Sequence, residues 1–550
     1  MAFTVLDYVV FAAYCLIIVG VGLWVSREKE GREKNTEDYF LAGKALPWWA
    51  IGASLIASNI SAEQFIGMSG SGFRLGLAIA TYEWMAAVTL LVIAWFFLPI
   101  YLDKGIFTMP QFLEKRYDAR VRTLLAVFWL LVYVFVNLTS VLYLGALALE
   151  NIMGAPLWVG LVGLALFATV YSIYGGLEAV AWTDVVQVVV LVGGGLLTTY
   201  LALDAYSGDA GGVILGFQML LEDAGDRFNM ILFEGELLYE DPVLTGGEPT
   251  YTASGDLVTE TKDAYQLLPG LGVLLGGMWV ANLFYWGCNQ YIIQRALAAK
   301  SLKESQRGLA FAGYLKLLLP LIVVVPGIVA HALDAPIVKA DEAYPWLLGT
   351  YIGPGLRGLA VAALAAAIVS SLASMMNSTA TIFTMDLYKT TFNKDASEKR
   401  LVTIGRIVSL TAITVAAVSA YPLLGAIDQA FQYIQEYTGF ISPGVLAVFV
   451  MGLFWKKATA NAALVTALLS IPLSAGMKVL TPDVPFLNRM GYVFLLSVAL
   501  IVVISYLEGK GQDSPRAISL SGTKLVADPV YNMAAFGILG ITAALYAMLW

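Results

Sequence analysis

Long apolar runs recur along the whole chain and restrict what it can fold into. A helix needs about 20 apolar residues to cross the hydrocarbon core of a bilayer. The runs are continuous rather than alternating, and only 13% of the residues are charged, against about 25% in soluble domains. Both observations favour an all-α polytopic membrane protein over a barrel. Fourteen spans are predicted, with approximate limits at 5–26, 47–71, 78–101, 122–152, 156–174, 178–203, 268–297, 309–332, 353–384, 402–421, 424–454, 459–478, 486–507 and 532–550.

The distribution of basic residues predicts the orientation of these spans. Lys and Arg collect in cytoplasmic loops, and here they follow odd-numbered spans, for example in 27–34, 104–122 and 389–400. We therefore expect the N-terminus outside the cytoplasm, and an even number of spans returns the C-terminus to the same side. The expected location is the plasma membrane, which in a bacterium is the inner membrane.

The longest loop, Ser207–Tyr265, lies outside on this prediction and is rich in Asp, Glu and Gly, with Arg227 and Lys262 as its only basic residues. A solvated surface loop is the favoured interpretation, and a cap over the outer vestibule is the alternative. Both cysteines, Cys15 and Cys288, lie in apolar runs, so no disulfide framework is expected.

The second predicted span does not stay apolar. It contains ASLIASNISAEQFIGMSGSGFRLG over 53–76, in which polar residues and glycines follow an apolar start. A backbone break at membrane depth is tolerated only where it lines a cavity or is buried in protein, and transporters use such breaks to bind ions and solutes. The seventh span is interrupted as well, by NLFYWGCNQY. A separation of five helices suits two inverted five-helix units. The predicted division is an extra N-terminal helix in 1–30, a first repeat in 45–206, the acidic loop in 207–267, a second repeat in 268–455 and three C-terminal helices in 456–550.

Polar side chains also lie within other spans. Such groups are costly in a membrane and usually functional. Amides and carboxylates pair with hydroxyl groups, and an aromatic face covers the C–H side of a sugar ring, so the set favours a polyhydroxylated ligand. Any one member alone is equally explained by a helix–helix hydrogen bond, and Lys316 by snorkelling toward the inner surface. The set includes Asn59, Gln64, Glu83, Asn137, Asn282, Tyr285, Trp286, Lys316 and Gln435.

A second group of oxygen atoms is predicted in the ninth span. In a helix, the carbonyl of Ala367 lies beside the side chains of Ser370 and Ser371. Together with free carbonyls of Ala57 and Ile60 at the break, they would form a five-oxygen cage without a carboxylate, which favours a monovalent cation over Ca²⁺. The alternative is that this small-residue helix is only a packing face.

Asp184 lies near the start of the sixth predicted span. An acid at that place compensates the helix dipole, and a role on a cation route is the other interpretation.

Motifs for catalysis are missing from the sequence. It has one histidine, His331, and no HExxH, GxSxG or GK[ST] phosphate-loop motif. We therefore expect no enzymatic activity, no ATP-driven pump and no nucleic-acid partner, and we predict no obligatory protein partner.

Five long stretches resemble the sodium/solute symporter family, in particular its sodium–sugar branch of sodium/glucose and bacterial sodium/galactose cotransporters. The resemblance covers essentially the whole chain. The stretches are TEDYFLAGKALPWWAIGASLIASNISAEQFIGMSGSG, YSIYGGLEAVAWTDVVQ, NQYIIQR, AAAIVSSLASMMNSTATIFTMDLY and FQYIQEYTGFISPG.

This resemblance implies a LeuT-like fold of about fourteen helices with a ten-helix inverted-repeat core and alternating access. It implies a sodium site at Ala57, Ile60, Ala367, Ser370 and Ser371, with Asp184 on the sodium exit route. The implied sugar contacts are Gln64, Glu83, Asn137, Asn282, Lys316 and Gln435, with Tyr285 stacked on the sugar as an inner gate, Asn59 holding it and Trp286 adjacent. The implied outer gate is Met68, Tyr82 and Phe431. At Ala86 the family would have a serine near the sugar.

The resulting prediction is a sodium-coupled hexose symporter of the galactose or glucose type. Its predicted ligands are sodium and the hexose, and it is embedded in the lipid bilayer. Two alternatives remain open. One is a sodium symporter for another polar solute, such as inositol, an amino acid, urea or an organic acid. The other is a membrane module that senses a solute without moving it.

Overall fold

The structure, a computed structural model, describes residues 3–27, 34–208, 211–245, 248–425, 434–436, 438–520, 523 and 527–550. Phe431, predicted in the outer gate, lies outside these ranges. The α-helices of the described residues are α1 (Val5–Ser26), α2 (Thr36–Leu41), α3 (Trp48–Asn59), α4 (Ser69–Leu75), α5 (Thr81–Val92), α6 (Leu98–Asp103), α7 (Met109–Arg116), α8 (Ala119–Val132), α9 (Thr139–Met153), α10 (Leu157–Ser207), α11 (Val213–Asp223), α12 (Gly270–Leu275), α13 (Gly277–Leu283), α14 (Gln290–Leu297), α15 (Leu302–Ala332), α16 (Ala343–Tyr351), α17 (Leu356–Ile382), α18 (Glu398–Leu424), α19 (Ser442–Phe454), α20 (Ala460–Leu480), α21 (Phe486–Gly509) and α22 (Pro529–Met548).

Wider and tighter helical turns join several of these helices. The π-helical segments are Glu63–Met68, Ile93–Phe97, Tyr133–Leu138, Phe284–Cys288 and Phe383–Phe392. The 3₁₀ segments are Ala42–Lys44, Gly76–Ala80, Gly225–Phe228, Ala264–Gln266 and Ala340–Glu342. Single-turn π segments are frequent at functional sites.

Helices occupy each of the fourteen predicted spans. Within the described ranges, ten helices are long and apolar enough to cross a membrane, or eleven if the pair Ala264–Leu275 and Gly277–Cys288, bent by 78°, is one span. One of the ten, Glu63–Asp103, contains the end of the second predicted span and all of the third, and Leu157–Val170 and Ser442–Phe454 are shorter apolar helices. The prediction of an all-α polytopic membrane protein is therefore confirmed.

The predicted break in the second span is present. Helix α3 ends at Asn59, and Ile60 is extended, with φ −75° and ψ 119°. Ser61 donates its backbone N–H and its hydroxyl to Oε1 of Gln64, at 2.9 and 3.0 Å. The Gln64 side chain thus accepts a hydrogen bond from a backbone N–H that has lost its helical partner. A break at membrane depth requires such a replacement. The π segment that starts at Glu63 then continues into α4.

The seventh span is broken in two places. Gly276 separates α12 from α13, with φ −125° and ψ −116°. Asn289 is extended, with φ −88° and ψ 121°, between the π segment Phe284–Cys288 and α14. The second and seventh spans are therefore both discontinuous, as their polar interruptions predict.

Helix α17 lies at the centre of the bundle. In its apolar window 94% of the residues are buried, against 17% in α1. Small Ala and Ser residues let neighbouring helices approach α17 closely. Helix α10, which packs along it, bends at Gly176 (φ +64°), where a Cβ atom would lie 2.3 Å from the carbonyl oxygen of Tyr39. Only glycine fits this close approach.

The acidic loop is folded and docked, so a purely solvated loop is the wrong description. It contains α11 and two antiparallel strand pairs: β1 (Leu238–Pro242) with β4 (Thr259–Asp263), and β2 (Leu244–Thr245) with β3 (Glu248–Pro249). In β1 and β4, Glu240 pairs with Thr261. Residues of this loop bury apolar side chains against the bundle. This burial stabilises the docked loop, a contribution that a solvated loop would not gain.

Arg227 attaches the loop to the broken second span. Its guanidinium donates to the carbonyl oxygens of Phe73 and Arg74, at 3.1 and 2.7 Å, at the end of α4. Gly76 (φ +69°) permits this approach, because a Cβ atom there would lie 2.3 Å from the carbonyl oxygen of Arg227. The loop also reaches the last helix, since the N–H of Met230 donates to the carbonyl oxygen of Leu549.

Candidate functional site

A cavity lies between the two broken spans. Each of the nine residues in the predicted polar set lines it, together with Ala86, which is buried. Met68 is buried but does not line the cavity among the described residues. The predicted residues at the cavity are Asn59, Gln64, Tyr82, Glu83, Asn137, Asn282, Tyr285, Trp286, Lys316 and Gln435.

Lys316 forms a buried ion pair with Glu83. Its ammonium donates to Oε2 of Glu83 and to Oδ1 of Asn59, and its Nζ lies 5.1 Å from the ring centroid of Trp286. The side chains of Lys316 and Glu83 are only 1% and 4% exposed. The snorkelling interpretation of Lys316 is therefore wrong. A buried charge is costly unless it is paired and hydrogen-bonded, and each of these two groups supplies what the other needs.

Tyr285, which lines the cavity, connects the two broken spans. Asn59 donates its Nδ2–H to the Tyr285 hydroxyl at 2.9 Å, and the hydroxyls of Tyr285 and Tyr291 share a hydrogen bond of 2.5 Å. The rings of Tyr285 and Trp286 meet edge to face at 5.2 Å. One face of the cavity is therefore aromatic. Asn59, the last residue of α3, holds the Tyr285 ring in place through its hydrogen bond to the hydroxyl.

Two amide side chains at the cavity carry an atom without a hydrogen bond. Oδ1 of Asn137 and Nδ2 of Asn282 are buried and have no partner among the described residues. A buried polar atom left unsatisfied costs about 1–3 kcal/mol. One acceptor and one donor are thus available to a ligand that carries hydroxyl groups.

Oxygen atoms of α17 and of the α3 break meet beside this cavity. The Ser371 hydroxyl donates to the carbonyl oxygens of Ser58 and Ile60, at 3.0 and 3.1 Å. The Ser370 hydroxyl instead donates to Oδ1 of Asp184, at 2.5 Å. The structure therefore brings Ser371 and Ile60 together and pairs Ser370 with Asp184. It adds the Ser58 carbonyl, which the sequence reasoning did not include.

The remaining predicted cation ligands, Ala57 and Ala367, are fully buried on α3 and α17. The two helices pack against each other. Carbonyl and hydroxyl oxygens in such an arrangement suit a monovalent cation, for which hard oxygen ligands of low total charge are appropriate.

Asp184 lies inside α10, beyond its bend, and is fully buried. Dipole compensation at a helix start is therefore the wrong interpretation. Its Oδ2 accepts from the hydroxyls of Ser54 and Ser58, at 2.5 and 3.4 Å, and lies 3.8 Å from Nη2 of Arg295. Asp184 thus accepts hydrogen bonds from α3, through Ser54 and Ser58, and from α17, through Ser370, the neighbour of Ser371.

Arg295 is the main residue that the sequence reasoning missed. It is fully buried, donates from Nε to the Ser54 hydroxyl at 3.0 Å, and also donates to the Ser374 hydroxyl and to the Tyr291 carbonyl oxygen. The available signal was its position within the predicted span 268–297, where an unpaired arginine would be very costly.

Residues 39–470 match the family model described as Sodium:solute symporter family. The chain is 50% identical to a sodium/glucose cotransporter of Vibrio parahaemolyticus, over 99% of this chain and 98% of the relative. It is 35% identical to the human sodium/myo-inositol cotransporter 2, over 83% of this chain and 67% of the relative.

Among solved structures, a substrate-bound outward-open Na⁺-coupled sialic acid symporter aligns with a TM-score of 0.76 and 24% identity, over 92% of this chain and 98% of that one. At this identity the likeness concerns the fold alone, and it agrees with the predicted LeuT-like architecture of discontinuous helices. The match of the family model to most of the chain, with two relatives above 30% identity, shows that the protein belongs to the sodium:solute symporter family.

Proposed function

We propose that the protein is a secondary transporter that couples the downhill movement of sodium to the uptake of a hexose of the galactose or glucose type. The observation that carries the proposal is the cavity between two broken helices, with paired polar groups and an aromatic face, beside a cluster of backbone and hydroxyl oxygens. The names of the relatives, a sodium/glucose and a sodium/myo-inositol cotransporter, support it.

In this proposal the sugar binds in the cavity through hydrogen bonds. Glu83 and Lys316 act as a fixed acceptor and donor pair, and Asn59 keeps that pair connected to Tyr285. The ring of Tyr285 covers the C–H side of the sugar, and Trp286 supports that ring. The other proposed sugar contacts are Gln64, Asn137, Asn282 and Gln435.

Sodium is the co-transported substrate, and we propose that it binds where α3 meets α17. Its proposed ligands are the carbonyl oxygens of Ala57, Ile60 and Ala367 and the hydroxyls of Ser370 and Ser371, and the Ser370 hydroxyl would turn from Asp184 to the ion. The ion would hold the broken end of α3 against α17, one turn from the residues that contact the sugar. Sodium binding and sugar binding then each raise the affinity for the other, as linkage requires.

The driving force is sufficient for concentrative uptake. Sodium entry gains about 2.3 kcal/mol per 100 mV of inside-negative potential, and a tenfold inward gradient adds about 1.4 kcal/mol. One sodium ion per sugar could therefore support a sugar gradient of roughly several hundredfold.

We further propose that Asp184 receives sodium as it leaves, because its carboxylate contacts both Ser58 and Ser370. Met68, Tyr82 and Phe431 form the outer gate. The repeat division at 45–206 and 268–455 follows from the positions of the two broken spans.

Both chain termini are proposed to lie outside the cytoplasm, in the plasma membrane. The contact of Met230 in the acidic loop with Leu549 supports a common side for the loop and the C-terminus. Asp7, near the other terminus, accepts hydrogen bonds from the N–H groups of Gly355 and Gly358 at the start of α17. Because α17 begins on the outer side in this orientation, the contact supports an N-terminus on that side.

A polyol such as inositol is the second candidate substrate, favoured by the 35% identity to a sodium/myo-inositol cotransporter. The same cavity groups would bind a cyclitol, since they recognise hydroxyl groups rather than a ring oxygen. Competition between the two substrates for uptake would rank them.

The decisive test is uptake of labelled galactose, glucose and myo-inositol into liposomes that contain the purified protein. A sodium gradient should drive accumulation, and replacing sodium with choline should abolish it. Equal uptake in choline would overturn the coupling, and sodium-dependent binding without counterflow would indicate a sensor instead of a carrier.

A further inference from the structure

The guanidinium of Arg295 reaches three other helices. Arg295 lies on α14, after the second break of the seventh span, and is fully buried. Its Nε donates to the Ser54 hydroxyl on α3 at 3.0 Å, and its Nη2 lies 3.8 Å from Oδ2 of Asp184 on α10. Nη2 also donates to the Ser374 hydroxyl on α17. Because a guanidinium presents its donors in a planar fork, it holds several acceptors in fixed relative positions.

Ser374 links this guanidinium to the proposed sodium cluster. Its hydroxyl lies 2.9 Å from the Ser58 hydroxyl and donates to the carbonyl oxygen of Ser370 within α17 at 2.7 Å. The carbonyl oxygen of Ser58 accepts from the Ser371 hydroxyl at 3.0 Å. Ser58 therefore has its carbonyl group in the cluster and its hydroxyl on the partner of Arg295. A displacement of the end of α3 relative to α17 moves both groups together, because they belong to one residue.

Helix α14 connects Arg295 to the tyrosine that lines the cavity. The guanidinium donates to the carbonyl oxygen of Tyr291, one turn earlier on α14, and the hydroxyls of Tyr291 and Tyr285 share a hydrogen bond of 2.5 Å. Tyr285 also accepts from Asn59. Two routes thus lead from the end of α3 to the Tyr285 hydroxyl, a direct one through Asn59 and a second one through the Arg295 guanidinium.

We propose that Arg295 is a positioning residue that couples sodium binding to sugar binding through its hydrogen bond to Ser374. With the ion bound, Ser58 and Ser374 are held where α3 meets α17, and the guanidinium then holds α14 and Tyr285 in the arrangement that binds the sugar. Packed hydrogen-bond networks carry coupling of this kind when both sites favour the same arrangement. This inference rests on the proposed sodium–sugar cotransport and names a residue through which the two substrates raise each other's affinity.

The test is the coupling ratio, defined as the galactose Kd in choline divided by the galactose Kd in saturating sodium. It is measured by equilibrium binding of labelled galactose to the purified protein. Linkage requires the same ratio for the sodium affinity without and with galactose. A variant that only damages the sugar site changes both Kd values alike and leaves the ratio unchanged, so the ratio separates coupling from a purely structural role.

Two substitutions interrupt the proposed route at different points. Arg295→Lys keeps a positive charge beside Asp184 but loses the planar fork, and its coupling ratio should be at least about fivefold below that of the wild type, within the usual range of coupling. Ser374→Ala keeps the guanidinium but removes its contact with α17, and should lower the ratio at least about threefold, as the loss of a hydrogen bond to a charged group implies. The double variant should resemble Arg295→Lys alone, because both substitutions interrupt one route.

Arg116→Lys is the matched control. Arg116 is also fully buried, and it donates to the carbonyl oxygens of Gly452 and Trp455 at 2.8 and 3.0 Å. In the part of the chain that the structure describes, neither acceptor lines the cavity. The coupling ratio of this control should stay within about twofold of the wild-type value, as for a distant, independent site.

Three results would overturn the proposal. The first is a wild-type ratio in Arg295→Lys or in Ser374→Ala, and the second is a double variant whose loss is the product of the two single losses. The third is a loss in Arg116→Lys as large as in Arg295→Lys. If Arg295→Lys does not fold, Ser374→Ala, which leaves every charge in place, still decides the question. Failure of the proposed function is seen separately, as wild-type protein that binds no galactose in sodium or binds it equally well in choline.

Discussion

The buried pair of Glu83 and Lys316 yields the sharpest prediction about stability. Glu83→Gln would leave the Lys316 ammonium buried without its counter-charge, and Lys316→Met would do the same to the carboxylate. Removing one partner of a buried pair costs about 3–5 kcal/mol of stability, whereas replacing both partners by uncharged groups often leaves the stability almost unchanged. We therefore expect each single variant to lose about 3–5 kcal/mol of unfolding free energy, and the double variant to lose less than either one.

The assay is equilibrium unfolding in mixed micelles, followed by intrinsic tryptophan fluorescence for the wild type, both single variants and the double variant. The pair of Lys44 and Glu37 is a matched control, because its atoms lie 3.3 Å apart and its side chains are 46% and 48% exposed. The same substitutions there should cost about 0–1 kcal/mol each.

Sugar binding separates stability from function in this experiment. All three variants of the buried pair should lose galactose binding, including the double variant that regains stability, because the proposed acceptor and donor are gone. A double variant whose loss equals the sum of the two single losses would refute the pairing argument. Single variants as stable as the exposed controls would refute the claim that the pair is desolvated.

Three further outcomes are expected. Ser371→Ala, which removes the hydroxyl beside the Ile60 carbonyl oxygen, should raise the sodium concentration for half-maximal uptake about tenfold or more, since a contact to a charge contributes about 1.5–3 kcal/mol. Tyr285→Phe keeps the ring but loses the hydrogen bond from Asn59, so galactose affinity should fall severalfold, as a loss of about 0.5–1.5 kcal/mol implies. Arg227→Ala releases two carbonyl oxygens at the end of α4 and should speed proteolysis of the acidic loop in intact protein.

Each of these has a control of the same chemistry elsewhere in the bundle. Ser409→Ala removes a buried hydroxyl bonded to the Met376 carbonyl oxygen, and Tyr531→Phe removes one bonded to that of Leu91. Arg120→Ala removes an exposed guanidinium. A sodium shift as large in the first control, an affinity loss as large in the second or a cleavage rate as high in the third would contradict the corresponding prediction.

The sequence alone determined the architecture and the places where it breaks. In a bilayer each backbone group must be satisfied within its own segment, so long apolar runs specify helices. Polar residues and glycines inside a run, as in 53–76, specify an interruption. These are local properties, which is why the interruption in 53–76 and the discontinuous seventh span were predictable, and why the resemblance in five stretches pointed to the family.

Only the tertiary structure decided which polar groups meet. Arg295 reaches Ser54 across 241 residues of sequence, and its contact with Asp184 gave that carboxylate a buried partner which the sequence did not reveal. The same holds for Lys316, which a linear pattern could not distinguish from a snorkelling lysine, and for the docked loop at Arg227. A charged residue in an apolar segment must be paired because an unpaired buried charge is costly. Which residue pairs with it depends on how helices that are distant in the chain pack together.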